Sequence, residues 1–143
     1  MTVQQGKKWT KAEEENKIKK RQKFSKRGKQ SRKNIVRVAL LKGTVKDGIN
    51  KEKQIRHLQG TRMEGRSFIH GGMEFAEELY NEFKGRGEPI VVDGVWKNKE
   101  RINTGRIVAT NINEGGREMP TSNIVIIYSK TGSHILGGQS DDA

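Results

Sequence analysis

The sequence predicts an α+β fold: an N-terminal helical part packed on a four-stranded antiparallel sheet, preceded by a basic tail. Three observations lead there. Apolar residues recur at helical spacing over Met73–Lys84, β-branched residues gather in strand-length runs through the second half, and positive charge is concentrated in the first forty residues.

The charge is the most uneven feature. Residues 1–40 hold fourteen Lys or Arg against Glu13, Glu14 and Glu15, a net of +11 out of a whole-chain +12. With 143 residues, of which 31% are hydrophobic and 32% charged, the chain has room for one domain and a tail. We place the boundary at the Gly43, Asp47 and Gly48 punctuation, giving a basic leader over 1–48, helical or disordered, and a domain over 49–143. A cationic block attracts polyanions through its field and counterion release, without reading sequence. No cysteine is present, which excludes disulfides, thiolate zinc sites and cysteine nucleophiles. No apolar run approaches the ~20 residues of a membrane span, and no hydrophobic signal core opens the chain, so a soluble protein without membrane contact is expected.

Along the chain, Thr10 with Glu13 resembles a helix cap ahead of a polar segment reaching Lys33, whose few apolar residues leave helix and disorder equally open. Residues 35–41 read as a short strand or a helix end, and 51–58 are too mixed to classify. Phe75, Ala76, Leu79, Tyr80 and Phe83 share one helical face, and Gly85 and Gly87 end that helix. Ile90–Trp96, Arg106–Ile112 and Asn123–Tyr128 read as strands, the last of them central, with Gly115, Gly116 and Pro120 in the loop before it. Ser133–Leu136 is a fourth short strand after a tight turn, completing an antiparallel meander.

Three histidines, His57, His70 and His134, supply the candidates for proton transfer near neutral pH. His57 sits among Lys53, Arg56, Arg62 and Arg66, which suits a base held down by positive neighbours; a histidine packed at a helix end is the plainer alternative. The densest reactive cluster is Tyr128-Ser129-Lys130-Thr131-Gly132-Ser133-His134. If Thr131 and Gly132 form a two-residue hairpin loop, Ser129 faces His134 at ~5 Å between Cβ atoms and Lys130 can clamp a phosphate. As one straight strand, Lys130 and His134 would lie ~13 Å apart, and an ordinary polar turn is the competing view. Asn98-Lys99-Glu100-Arg101 looks like solvated surface, His70 like a loop residue, and Thr121 like a strand-opening residue able to donate to phosphate. Spacings of 13 and 64 residues between the histidines match no metal motif. No metal or cofactor is expected.

The blocks Lys53-Gln54-Ile55-Arg56-His57-Leu58, Gly60-Thr61, Glu64-Gly65-Arg66-Ser67, Gly85-Arg86-Gly87-Glu88, Asn98-Lys99-Glu100-Arg101 and Ile127 through Ile135 together resemble the polymorphic toxin type 50 domain, which also ends phage head-morphogenesis proteins. The likeness covers about residues 49–137. It implies the fold of the barnase, EndoU, colicin and RelE nucleases, helical part first and four-stranded sheet after, acting on RNA without metal. The family's Lys-x-x-x-His falls on Lys53 and His57, its Gly-Arg-Ser on Gly65, Arg66 and Ser67, and its Tyr-Ser-Lys-x-Gly-x-His on Tyr128 through His134. Three positions depart from it: Arg56 replaces a Lys, Met63 an aromatic that would stack a base, and Leu136-Gly137 a Pro.

The expectation is therefore an endoribonuclease that forms a 2′,3′-cyclic phosphate. His57, His134, Lys130, Arg66, Thr121 and Ser129 would be catalytic, with Lys53, Arg56, Ser67, Lys99, Tyr128 and Thr131 binding substrate. Its partners would be RNA and a cognate immunity protein, and its site of action the cytoplasm, reached by delivery or from a virion. The alternative is a non-catalytic nucleic-acid-binding phage accessory protein that works through its leader. A nucleotide-dependent transferase is weaker still, lacking a Gly-rich phosphate loop.

Overall fold

The computed structural model describes residues 29–141, with side chains from residue 34. The polar segment from Thr10 falls outside the described residues except at its end, which begins the first helix.

That helix, α1 (Lys29–Lys42), forms because Val36, Ala39 and Leu40 fall on one face, where Val36 is fully buried. It stops in a six-to-one turn: the Thr44 amide donates to the Ala39 carbonyl at 3.0 Å, the Gly43 amide to Leu40 at 3.3 Å, and Gly43 takes φ +76 as the motif requires. The 35–41 stretch is thus a helix end. Val36, Ala39 and Val45 join the main hydrophobic core, so the segment expected as a leader over 1–48 contributes its last third to the folded body.

A short helix α2 (Lys51–Gln54), capped by Asn50 Oδ1 accepting from the Lys53 amide at 3.2 Å, runs into a 3-10 turn at Ile55–His57. The periodic segment is helix α3 (Met73–Phe83), burying Ala76, Leu79 and Tyr80. The strands are β1 (Phe68–Ile69), β2 (Glu88–Val92), β3 (Val95–Asn103), β4 (Ala109–Ile112), β5 (Glu118–Thr121), β6 (Asn123–Ile127) and β7 (His134–Gly137).

The expected four-stranded antiparallel sheet exists, in the order β2-β3-β6-β7, and β6 is central. The meander is interrupted, however. Between β3 and β6 the chain leaves to form the β4–β5 hairpin, which joins β1 in a separate three-stranded sheet ordered β1-β4-β5. Pro120 lies within β5, not in a loop; β5 is an outer strand, where a missing amide is tolerated. The run Ile90–Trp96 is two strands folded at Asp93-Gly94, whose φ values of 52 and 77 make the tight turn that matches strand twist.

The free edge of β7 is covered by side chains and by a short bridge. Ile49 pairs in parallel with Ser133, the Gln54 amide donates to the Ile135 carbonyl at 2.8 Å while accepting from its N–H at 2.7 Å, and Asn111 donates to the Gly137 carbonyl at 3.1 Å. These contacts close an otherwise sticky edge. They also seat α2, and with it the turn that carries His57, beside the strand that begins at His134.

Candidate active site

The two histidines furthest apart in the chain meet. His57, from the turn after α2, stacks on His134, the first residue of β7, with ring centroids 5.3 Å apart and planes 23° from parallel. The chain between them is bracketed so that this pairing is fixed. Asn50 Nδ2 donates to the Thr131 carbonyl at 2.8 Å, and Lys53 Nζ donates to Ser129 Oγ at 3.1 Å and Thr131 Oγ1 at 2.9 Å. Gly132 is needed for that approach: a Cβ there would lie 3.1 Å from Asn50 Cβ, and its φ is +107.

The two rings are held differently. His57 Nδ1 lies 2.8 Å from the Ser67 carbonyl, which can only accept, so this nitrogen carries the proton and Nε2 is the one available to a ligand. His134 Nδ1 is buried with no partner. Burial lowers the pKa of His57; the Ser67 carbonyl works against this by supporting the imidazolium, while Arg66 and Arg56 lower it further. His134 has no such support, and burial, then His57, Lys53 and Arg56, push it down to about 4. Two imidazolium charges so close oppose one another, so a proton on His57 makes the second proton, on His134, harder to add. Among the described residues, Lys53, Arg56, Arg66 and Lys130 enter no salt bridge, whereas Arg62, Lys84, Arg101 and Arg106 each do.

The structure therefore brings together His57, His134, Lys53, Arg56, Arg66, Ser129 and Thr131, with Ser67 contributing its backbone carbonyl. Ser67 Oγ faces the other way, accepting from the Ile112 amide at 2.9 Å and from Asn111 Nδ2 at 3.4 Å. Lys130 is exposed in the same loop. Lys99 pairs with Ile127, which pairs with His134, so Lys99 shares a sheet face with His134 two strand spacings off, roughly 10 Å.

Two expected site residues are placed elsewhere. Thr121 ends β5, is 1% exposed, and its Oγ1 accepts from the Asn123 amide at 3.0 Å; it opens no central strand. Tyr128 is buried on the core side, donating to Glu100 Oε1 at 2.6 Å. Glu100 is no surface charge either. It lies on β3 with no exposed area and accepts from the Gly85 amide at 2.9 Å and the Gly87 amide at 2.7 Å as well.

Nor is the β6–β7 connection a two-residue hairpin. Residues 128–133 form the loop, and His134 faces Ile127 rather than Ser129. His70, at the end of β1, bonds Thr110 Oγ1 at 2.7 Å. Sequence reasoning missed Gln54 and Asn50, the residues that bracket the two motifs. Asn50 carried a signal, as a capping residue directly before a helix, and Gln54 carried none.

Fold and site together define a small α+β domain in which two distant motifs pair their histidines beside unpaired cations. The chain belongs to the bacterial toxin 50 family, whose model matches residues 49–136, more than half of its length. It thus carries a toxin domain. Comparisons with curated proteins and with solved structures returned no match. No helix among the described residues is long and apolar enough to cross a membrane.

Proposed function

We propose that this domain is a metal-independent endoribonuclease that cleaves RNA by attack of the 2′-hydroxyl on the adjacent phosphorus. The observation that carries this reading is the stacked histidine pair at 5.3 Å, flanked by cations, in a chain of a bacterial toxin family. RNA supplies its own nucleophile, so the protein has only to move two protons and neutralise the phosphorane.

The unequal support of the two rings favours a division of roles that reverses the sequence-based idea of His57 as base. His134, the less basic ring, takes the 2′-hydroxyl proton on Nε2. The 2′-oxygen then bonds to phosphorus as the P–O5′ bond breaks. His57, whose imidazolium is favoured by the Ser67 carbonyl, delivers its Nε2 proton to the departing 5′-oxygen. The products are a 2′,3′-cyclic phosphate and a 5′-hydroxyl, and the two rings end with their protonation exchanged. Arg56 and Arg66 neutralise the phosphorane, Lys130 reaches it from the loop, and Ser129 and Thr131 fix Lys53 beside it. Within this reading RNA is the partner, and a cognate immunity protein is the expected second one.

The test is total RNA incubated with the purified chain in excess EDTA, followed by end-group analysis. Fragments ending in cyclic phosphate and 5′-hydroxyl are the expected result. Intact RNA, or fragments with 5′-phosphates, would remove the proposal.

A further inference from the structure

Ser67 has two polar groups that face different neighbours. Its carbonyl holds His57, and its hydroxyl accepts from the Ile112 amide and from Asn111. On the hydroxyl side lies a cavity of about 530 Å³, lined by Asn111, Ile112, Asn113, Glu114, Met119 and Gln139. Asn111 also donates to the Gly137 carbonyl, and Gly137 lies three residues along β7 from His134, roughly 10 Å at the strand rise. From His57, the path through Ser67 to β4 crosses two strand spacings, again roughly 10 Å. Both routes end at Asn111, the near wall of the cavity, so the cavity lies within reach of a neighbouring part of an RNA strand held at the histidine pair.

The lining indicates what would occupy it. None of the six residues is a cation, and Glu114 is an anion, so a phosphate is repelled. Met119, which shares the sheet face of Asn111, offers apolar surface to the face of a flat ring. Asn111 uses Nδ2 within the protein, bonds that leave its Oδ1 unused, and Asn113 uses its side-chain oxygen to accept from the Arg117 amide and hold the hairpin loop. Asn111 Oδ1, the Glu114 carboxylate and the Gln139 amide remain to meet the edge of a ring that donates N–H bonds. We infer that this cavity is a nucleobase subsite for a nucleotide flanking the scissile phosphate, wired to His57 through Ser67; the inference rests on the ribonuclease reading above.

Such a site makes cleavage base-selective, since each well-placed polar contact discriminates by roughly tenfold or more. The experiment is cleavage of a random-sequence RNA pool, with sequencing of the cut ends, by the full chain and by the Asn111→Ala, Glu114→Gln and Gln139→Ala variants. The expected result is a strong preference at one flanking position that falls at least tenfold in Asn111→Ala and in one of the other two, while cleavage at the remaining bases persists. Because Asn111 also ties β4 to β7, the exposed Glu114 and Gln139 keep the test decisive if Asn111→Ala folds poorly. Unbiased cutting by the unaltered chain, or a bias untouched by all the variants that fold, overturns the subsite alone. Absence of any cutting by the unaltered chain overturns the ribonuclease reading, and the subsite falls with it.

Discussion

Two polar clusters flank the central strands, and they are built on opposite principles. At the Glu100 knot, one buried carboxylate meets the Gly85 amide, the Gly87 amide and the Tyr128 hydroxyl, and Trp96 and Tyr80 pack against Tyr128. Burial and the neighbouring carboxylate push the Tyr128 hydroxyl far above its ordinary pKa, so it stays a donor at every accessible pH. At the histidine pair, in contrast, a ring nitrogen is buried without a partner and cations gather with no counter-charge among the described residues. A saturated network holds the fold, whereas an unsatisfied one with like charges costs stability and is tolerated where a ligand completes it.

The largest effect separating the two clusters is on activity. His57→Ala and His134→Ala are each expected to lower RNA cleavage by about 10²–10⁴-fold, the usual contribution of a positioned acid or base. His134→Ala should leave the thermal midpoint nearly unchanged, whereas His57→Ala also removes a buried ring and the partner of the Ser67 carbonyl and should lower it. His134 makes no hydrogen bond through its buried Nδ1, so its removal breaks none there. Retained cleavage in both single variants would end the assignment; thermal shift and end-labelled RNA, measured on the same samples, decide it.

Next is Glu100→Ala, which should do the reverse. It strands three buried donors, each bonded to a charged acceptor, and should destabilise by about 3–5 kcal/mol in urea unfolding. Below its unfolding midpoint, the surviving folded fraction should keep its specific activity. A loss of activity in fully folded protein would show that the knot reaches the histidine pair.

The contrast also explains what the sequence did and did not disclose. Helix α3 and strand β6 were legible because their apolar spacing matches the period of the element that buries them: Ala76, Leu79 and Tyr80 fall on one face, and Ile124 and Ile126 on another. The histidine pair was legible in part, because His57 and His134 each lie in a block of reactive residues. The knot was not. Nothing around Glu100 distinguishes a buried carboxylate from a solvated one, since its donors come from residues 13 to 28 positions away. The fold at Asp93-Gly94 was hidden by an apolar run that continues across it, although Asp-Gly is a strong turn signal. Thr121 was misplaced for a related reason, since β5 and β6 are separated by a single residue and read as one entry into a strand.

The pH dependence sharpens the comparison further. On the proposed mechanism only the singly protonated histidine pair is competent, so kcat/KM should form a bell with its acid limb near 4, set by His134, and its alkaline limb below 6.5, set by the lowered His57. An optimum above pH 7 in kcat/KM would contradict the assignment. Phosphate in the complex favours both imidazolium forms, so the kcat profile should lie alkaline of the kcat/KM profile. Stability follows the same groups. Because the folded pKa of His134 is below its unfolded value near 6.5, the unfolded chain takes up more protons between those pH values, and stability falls as pH drops from about 6.5 towards 4. Glu100 variants should leave the position of the bell unchanged.

Lys53→Met gives the smallest and most diagnostic shift. Lys53 carries two contributions that can be separated: it ties the loop through Ser129 and Thr131, and its charge holds down His134 but is not among the causes acting on His57. Removing a neighbouring cation makes an imidazolium easier to form, so the His134 pKa should rise above 4 while that of His57 stays nearly fixed. The acid limb should move to higher pH, the alkaline limb should stay, and the bell should narrow. Loss of the tie to Ser129 and Thr131 should cost roughly tenfold in kcat/KM at the optimum, a modest effect beside the histidine substitutions. Titration of the ring protons by NMR reads the two histidines individually. If both limbs moved together, or neither did, Lys53 would be only a loop tether, and its electrostatic coupling to the base would have to be abandoned.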